Sequence, residues 1–260
     1  MINSQNNERV FFADGAVLVE GMSDRIVFSS LLDAGSTRFA NNEAIEIIEV
    51  GGKNNFEGYR LLLSALNTPC KIIADLDFLK QVGSPQVRAL FRADDAKAWE
   101  ELKRKKSIDG KSAVAGLRTA IADGDTSGLA AFVAYLDNRH TSLTMPLTGE
   151  EQTVLDQEIL RLRGENILVL PAGEIEDYLP PGGTDVGAIV EHTVNRNWIN
   201  SVAQPERRAY LATLICEILG PNDAMRVQLL AQARDGVVAF PVPLSERGVS
   251  ESIADERIRT

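Results

Sequence analysis

Val17-Leu18-Val19-Glu20-Gly21-Met22-Ser23-Asp24 is the stretch from which the fold of this chain is read. Three apolar residues run straight into a carboxylate and a glycine, the pattern of a buried parallel strand that stops at a turn. Ser23 stands where it can cap a following helix, with Ile26, Val27, Phe28, Leu31 and Leu32 as the apolar face and Gly35 as the stop. Working outward, the unit repeats. Ile45 to Val50 reads as a second strand closing on Gly51-Gly52. A helix follows from near Asn55, with Phe56, Tyr59, Leu62, Leu63 and Leu66 at helical spacing and Asn67 near its end. After the break at Pro69, Lys71-Ile72-Ile73-Ala74-Asp75 is a third strand. Strand, helix, strand, helix, strand on short links demands a parallel sheet with right-handed crossovers.

Residues 10–84 therefore form the first part of an α/β core. From 85 to 165 the pattern turns helical and less apolar, and this stretch reads as a helical insertion. Ser84-Pro85 is a cap followed by proline at the first helical position, and Thr148-Gly149-Glu150-Glu151 fits a capping box before a helix running to about Arg163. Residues 166–182 return to the core as a last strand, Ile167-Leu168-Val169-Leu170-Pro171, and an acidic stretch. Residues 183–244 form C-terminal helices, Pro205 opening one and Gly220-Pro221 ending it, and 245–260 are a polar tail. The fold class is α/β, a parallel sheet of about four strands flanked by helices, with a helical insertion and C-terminal helices.

Composition excludes several classes. Hydrophobic residues make up 44% and charged residues 25%, as in ordinary globular proteins. No apolar run approaches the roughly 18 residues of a membrane span, so no membrane partner is expected, and Met1 to Arg9 lack a signal-peptide core. Cys70 and Cys216 stand far apart with no CxxC pair. That argues against a disulfide scaffold or zinc thiolates, fits a reducing cytoplasm, and leaves both cysteines as small buried hydrophobes. The net charge of −10 works against binding nucleic acid, unless cations are concentrated locally or bound metal offsets the carboxylates.

Those carboxylates sit at the ends of three strands. Glu20 closes the first, with Asp24 one turn on; Asp75-Leu76-Asp77 closes the third; Gly173-Glu174-Ile175-Glu176-Asp177 follows the fourth. In an open parallel sheet, ligands bind beyond the carboxyl ends of the strands. Neighbouring strands would bring these acids to one rim, where they repel one another unless a cation sits among them. Oxygen donors with no Cys or His nearby suit Mg²⁺ or Mn²⁺. Each acid alone also reads as a helix cap or a solvated loop residue.

The same residues resemble a known family. Val17 to Asp24, with Ile73-Ala74-Asp75-Leu76-Asp77, is similar to the Toprim domain of topoisomerases, bacterial primases and several nucleases. Val50-Gly51-Gly52-Lys53-Asn54-Asn55-Phe56, Ile72 to Phe78 and Val169 to Leu179 resemble more narrowly the OLD (overcoming lysogenisation defect) family of ATP-dependent endonucleases, as does Phe11-Phe12-Ala13-Asp14. The resemblance covers roughly residues 10 to 180. It implies a divalent-metal-dependent nuclease in which Glu20, Asp24, Asp75, Asp77 and Glu176 hold two ions about 3.5–4 Å apart, Glu176 being preferred to Glu174. Glu20, Asp75 and Asp77 are then catalytic, and Lys53 reaches a phosphate of DNA unless it is an ordinary loop lysine. The family fuses an ABC-type ATPase to this domain, whereas this sequence has no GxxxxGK[ST] loop. Any such ATPase domain or subunit is an expected partner outside these residues.

For nucleic-acid contacts the sequence offers Lys103-Arg104-Lys105-Lys106 in the insertion, which can equally be a solvated helix end. Arg161 and Arg163, just before the fourth strand, are candidates nearer the rim. His140 and His192 have no partner at ligand spacing, which favours surface or packing roles. Two rival readings stand beside the nuclease. A Toprim-like module could bind a metal or partner without catalysis. A DxD phosphohydrolase could act on a small phosphate ester, although its DxD is expected on the first strand.

Overall fold

The computed structural model describes residues 12–41, 43–93, 108–125, 129, 141–143, 146–182 and 185–241. Lys103, Arg104, Lys105, Lys106, His140 and the tail 245–260 lie outside them. The elements are β1 (Gly15–Val19), α1 (Met22–Phe39), β2 (Ile45–Glu49), α2 (Phe56–Ala65), β3 (Cys70–Ala74), α3 (Leu79–Val82), α4 (Pro85–Arg88), β4 (Phe91–Ala93), α5 (Ile108–Asp123), β5 (Thr141–Leu143), α6 (Gly149–Gly164), β6 (Ile167–Val169), α7 (Val186–Val194), α8 (Pro205–Leu219) and α9 (Asp223–Asp235). They divide into two compact units, one of residues 1–76 and 162–260, the other of 77–161.

The first unit is built on a four-stranded sheet of order β2-β1-β3-β6, every pairing parallel. β1 is interior and buried along its whole length, which is why its run is continuously apolar. Successive side chains of a strand point to opposite faces. Val17, Val19, Ile47, Ile73 and Leu168 belong to one core with Phe28 and Leu31 of α1, Trp198, and Leu211 and Ile215 of α8. The alternate residues Leu18, Ile48 and Ile72 are buried as well, as are Phe56, Tyr59 and Leu63 of α2. Both faces are therefore covered, as a parallel sheet requires. Arg208 is buried, and among the described residues its hydrogen bonds go to backbone carbonyls. Its guanidinium donates to Val202 O (2.6 Å) before α8, and to Ala233 O (2.7 Å) and Arg234 O (2.6 Å) at the end of α9. A cation there matches the negative end of the α9 dipole.

Two local expectations about α1 are corrected. Its cap residue is Gly21 rather than Ser23, and the Asp24 carboxylate accepts the Gly21 N–H at 3.0 Å. Gly35 does not stop the helix, which runs on to Phe39 and ends at Ala40 with φ 51°. A Cβ at Gly35 would lie 2.6 Å from Ile215 Cγ2 and 2.8 Å from Leu219 Cδ1, so this glycine marks where α1 crosses α8. The expected stops at Gly220 (φ 57°) and the first-turn Pro205 are found. Cys216 is buried as expected, whereas Cys70 is only half-buried.

In the second unit Ser84 Oγ accepts the Val87 N–H at the start of α4. Thr148 and Glu151 form the anticipated capping box: Thr148 N–H donates to Glu151 Oε2 (2.8 Å) and Glu151 N–H to Thr148 Oγ1 (3.3 Å). The unit is not wholly helical, since β4 and β5 pair antiparallel. Three-residue strands are too short to show a period in sequence. Among the described residues no helix is long and apolar enough to cross a membrane.

Candidate metal centre at the carboxyl rim

Because all four strands run the same way, their carboxyl ends share one edge of the sheet. Glu20 follows β1, Val50-Gly51-Gly52 follows β2, Asp75 follows β3, and the turn carrying Glu174 and Glu176 follows β6. The condition posed by the sequence, that the acid-bearing strands be neighbours, is met by the order β1-β3-β6. The rim is laced by backbone bonds: Gly51 and Gly52 N–H both donate to Glu20 O at 3.1 Å, and Leu76 N–H donates to Gly173 O at 3.0 Å.

Several side chains on the rim have well-defined neighbours. The Lys53 ammonium lies 3.7 Å from Glu20 Oε2. It follows two glycines with φ of +72° and +118°, values that L-residues with a Cβ rarely adopt. The Asn55 side-chain amide donates to Val50 O (2.8 Å) and Gly51 O (3.3 Å), while its backbone N–H donates to Gly52 O (3.0 Å). Asp24 is 7% exposed. Burial, then the nearby charges of Glu176 and Glu20, push its carboxyl up to about 6, opposed by the Gly21 N–H bond. At the end of β6, Asp177 accepts the Glu174 N–H at 3.1 Å. The buried Tyr178 hydroxyl accepts the Ala172 N–H at 2.9 Å. From α8, Arg207 donates to Asp177 O and sets its guanidinium 3.8 Å from the Asp177 carboxylate.

Glu20, Asp24, Lys53, Asp75, Glu174 and Glu176 thus belong to the same unit and the same edge of its sheet. Asp77 falls where the second unit begins, in the 3₁₀ turn Leu76–Phe78, with its carboxylate 3.8 Å from Lys80 Nζ. Arg163 comes before the amino end of β6, its guanidinium paired with Glu217, which also holds Arg226. Arg161, in the second unit, is 2.9 Å from Glu158. Each arginine thus has a carboxylate within reach, Glu158 for Arg161 and Glu217 for Arg163. The sequence does not single out Arg207, and it gives Asn55 only as a helix start and a member of the Val50–Phe56 motif. Arg207 lies far along the chain from the turn it grips, whereas Asn55 had a local signal in its place just after Gly51-Gly52-Lys53.

The donor set suits a hard divalent cation. Among the described residues of the rim it offers carboxylate oxygens, and burial and like charge raise one of those carboxyls well above the usual carboxylate range. Among the described residues no group of three acids, histidines or cysteines stands in metal-holding geometry. Asp24 is instead turned onto the Gly21 N–H and Glu20 lies beside Lys53. A concavity of about 470 Å³ lies elsewhere, at the amino ends of β3 and β6, lined by Glu57, Arg60, Asn67, Cys70 and Asn166 among others. Being at the opposite edge, it collects none of the strand-end acids.

Comparison with known proteins agrees with this geometry over the first three strands. The family profile described as "Overcoming lysogenization defect protein-like, TOPRIM domain" matches residues 11–77. No curated protein matches the chain. Solved structures of the C-terminal region of the Xanthomonas campestris pv. campestris OLD protein are similar at low scores. The platinum-phased form has 17% identity and TM-score 0.32 over 88% of this chain and 81% of that one. The iodine-phased form has 19% identity and TM-score 0.30 over 95% and 96%. With the parallel sheet, its acid-bearing strand ends and the profile match in agreement, residues 11–77 are the OLD-like Toprim domain of this chain.

Proposed function

We propose that this chain is a divalent-metal-dependent nuclease that hydrolyses DNA phosphodiesters at the carboxyl rim, with Glu20, Asp24, Asp75 and Glu176 as metal ligands. Asp77 and Glu174 are the remaining candidates. What supports the reading is the strand order β1-β3-β6, with Glu20, Asp75 and the Glu174–Glu176 turn at one edge and the buried Asp24 beside them, its carboxyl raised by burial and by the charges of Glu176 and Glu20. A cluster that disfavours its own ionisation in this way is one that Mg²⁺ or Mn²⁺ would stabilise. A pair of such ions would supply Lewis-acid activation of water and of the leaving oxygen.

The remaining roles belong to the protein. Lys53 brings a cation to the rim beside Glu20, where a phosphate oxygen can accept from it. The Gly51 and Gly52 N–H groups are already given to the Glu20 carbonyl, so this diglycine holds the lysine and is not itself a phosphate cradle. Arg207 fixes the turn that carries Glu174 and Glu176. An ABC-type ATPase domain or subunit is the proposed partner. The net charge of −10 makes help from a partner or from bound metal useful in holding DNA.

The test is a supercoiled-plasmid assay in Mg²⁺, Mn²⁺ or Ca²⁺, comparing the chain with Asp75→Ala. Metal-dependent nicking or linearisation that disappears in the variant is the expected outcome. A variant that cuts at the parental rate removes Asp75 from the mechanism. The second reading is a non-catalytic Toprim-like module that binds a metal or a partner. That reading gains if no metal supports cleavage.

A further inference from the structure

We propose that Asn55 is a positioning residue that fixes the turn after β2 and so aims the Lys53 ammonium at the rim. The kinetic part of this inference rests on the nuclease reading; the structural part does not. The turn must place a lysine directly after two residues in demanding conformations. Gly51 and Gly52 have φ of +72° and +118°, and a Cβ at either would meet no atom within 4 Å. Glycine is needed there for backbone conformation, not for space. Two consecutive glycines are also the most freely moving dipeptide available, so the conformation they permit must be held by something else.

One side of the turn is held through β1, where Gly51 and Gly52 N–H donate to Glu20 O. On the other side, Phe56 N–H donates to Lys53 O, and Asn55 makes the bonds to the residues before that lysine. Asn55 bonds three successive carbonyls: its amide takes Val50 O and Gly51 O, and its backbone N–H takes Gly52 O. Between the last of these carbonyls and Asn55 lies Lys53, whose ammonium reaches to 3.7 Å from Glu20 Oε2. A lysine has a long, flexible stem, so a fixed Cα sets the region its charge can reach, and contact with Glu20 selects the direction within it. Glu20 and Asn55 thereby clamp the turn from opposite sides, and Lys53 is delivered back toward the residue that anchors it.

The test is a double-substitution cycle on the full 260-residue chain. In the metal-dependent plasmid assay, Asn55→Ala and Asn55→Asp lower kcat about tenfold with KM little changed, the size that an ordinary hydrogen bond carries. Asn55→Gln, which keeps the amide, recovers part of the loss. Asn55→Ala combined with Lys53→Ala is no slower than Lys53→Ala alone, because Asn55 acts through the lysine. Multiplying losses in the double variant would mean an independent structural role and would overturn the proposal. A second arm needs no activity. With ¹³C-methylated lysines, the Lys53 signal (assigned by its loss in Lys53→Arg) shifts in Asn55→Ala while the other lysine signals and Tm hold. A stationary Lys53 signal defeats the inference even if the chain cuts DNA. A chain that cuts nothing but shows the shift defeats only the nuclease reading.

Discussion

Asp24 shows how one side chain can serve the fold and the site with opposing demands. As the acceptor for the Gly21 N–H it starts α1, and as a buried acid beside Glu176 and Glu20 it resists ionisation. Its folded pKa of about 6 lies above the ordinary 3.8, so between those values the folded state binds more protons than the unfolded one. Stability therefore falls as pH rises through this window and levels off above it. In chelator, Asp24→Asn keeps the capping acceptor but loses the charge. Urea denaturation should find the variant equal to the parent near pH 4 and more stable at pH 7, by up to about 3 kcal/mol. Equal stability at both pH values would mean that the carboxyl is not under this strain. Gly173 is the second informative residue: at φ +130°, a Cβ would stand 2.2 Å from Asp177 Oδ2. Gly173→Ala must displace the carboxylate that accepts the Glu174 N–H. It is expected to cost about 2–3 kcal/mol in the same measurement.

At the scale of elements, the crossing of α1 with α8 sets two effects against each other. Gly35→Ala recovers up to about 1 kcal/mol of helix propensity. The added methyl would lie 2.6 Å from Ile215 Cγ2, on a branched side chain that cannot swing away cheaply. Overpacking costs about 1–3 kcal/mol, so the net expectation is a loss near 1 kcal/mol, read as a lower Tm. Elements also differ in how openly the sequence announces them. β1, β2, β3 and β6 were legible within two residues at each end, because continuous apolar runs bounded by Gly, Pro or acids are local signals. The caps at Ser84 and Thr148 and the helix-opening Pro205 were legible for the same reason. Gly35 was misread because a glycine that permits close helix packing looks the same, in one dimension, as a glycine that ends a helix. The β4–β5 pair was missed because three residues hold no period.

For the whole molecule, the arrangement that matters is the set of acids on a shared edge, and binding of cations there should be visible as stability. Mg²⁺ or Mn²⁺ that binds the folded chain alone raises its stability by about 2.7 kcal/mol at a hundredfold excess over Kd. A metal-dependent rise in Tm is thus expected for the parent and a much smaller one for Asp75→Ala. Equal shifts in both would place the ions elsewhere. Sequence by itself determined the parallel βα units, the acids at their strand ends and the glycines before Lys53, since periodicity, capping and turn chemistry act over a few residues. Only the tertiary structure decided the strand order β2-β1-β3-β6 and the return of β6 beside β3 after the long intervening unit. It also decided the burial of Asp24, the capture of Arg163 by Glu217 and the grip of Arg207 on Asp177. These depend on pairing and packing between residues far apart in the chain, and such contacts leave no local pattern to read.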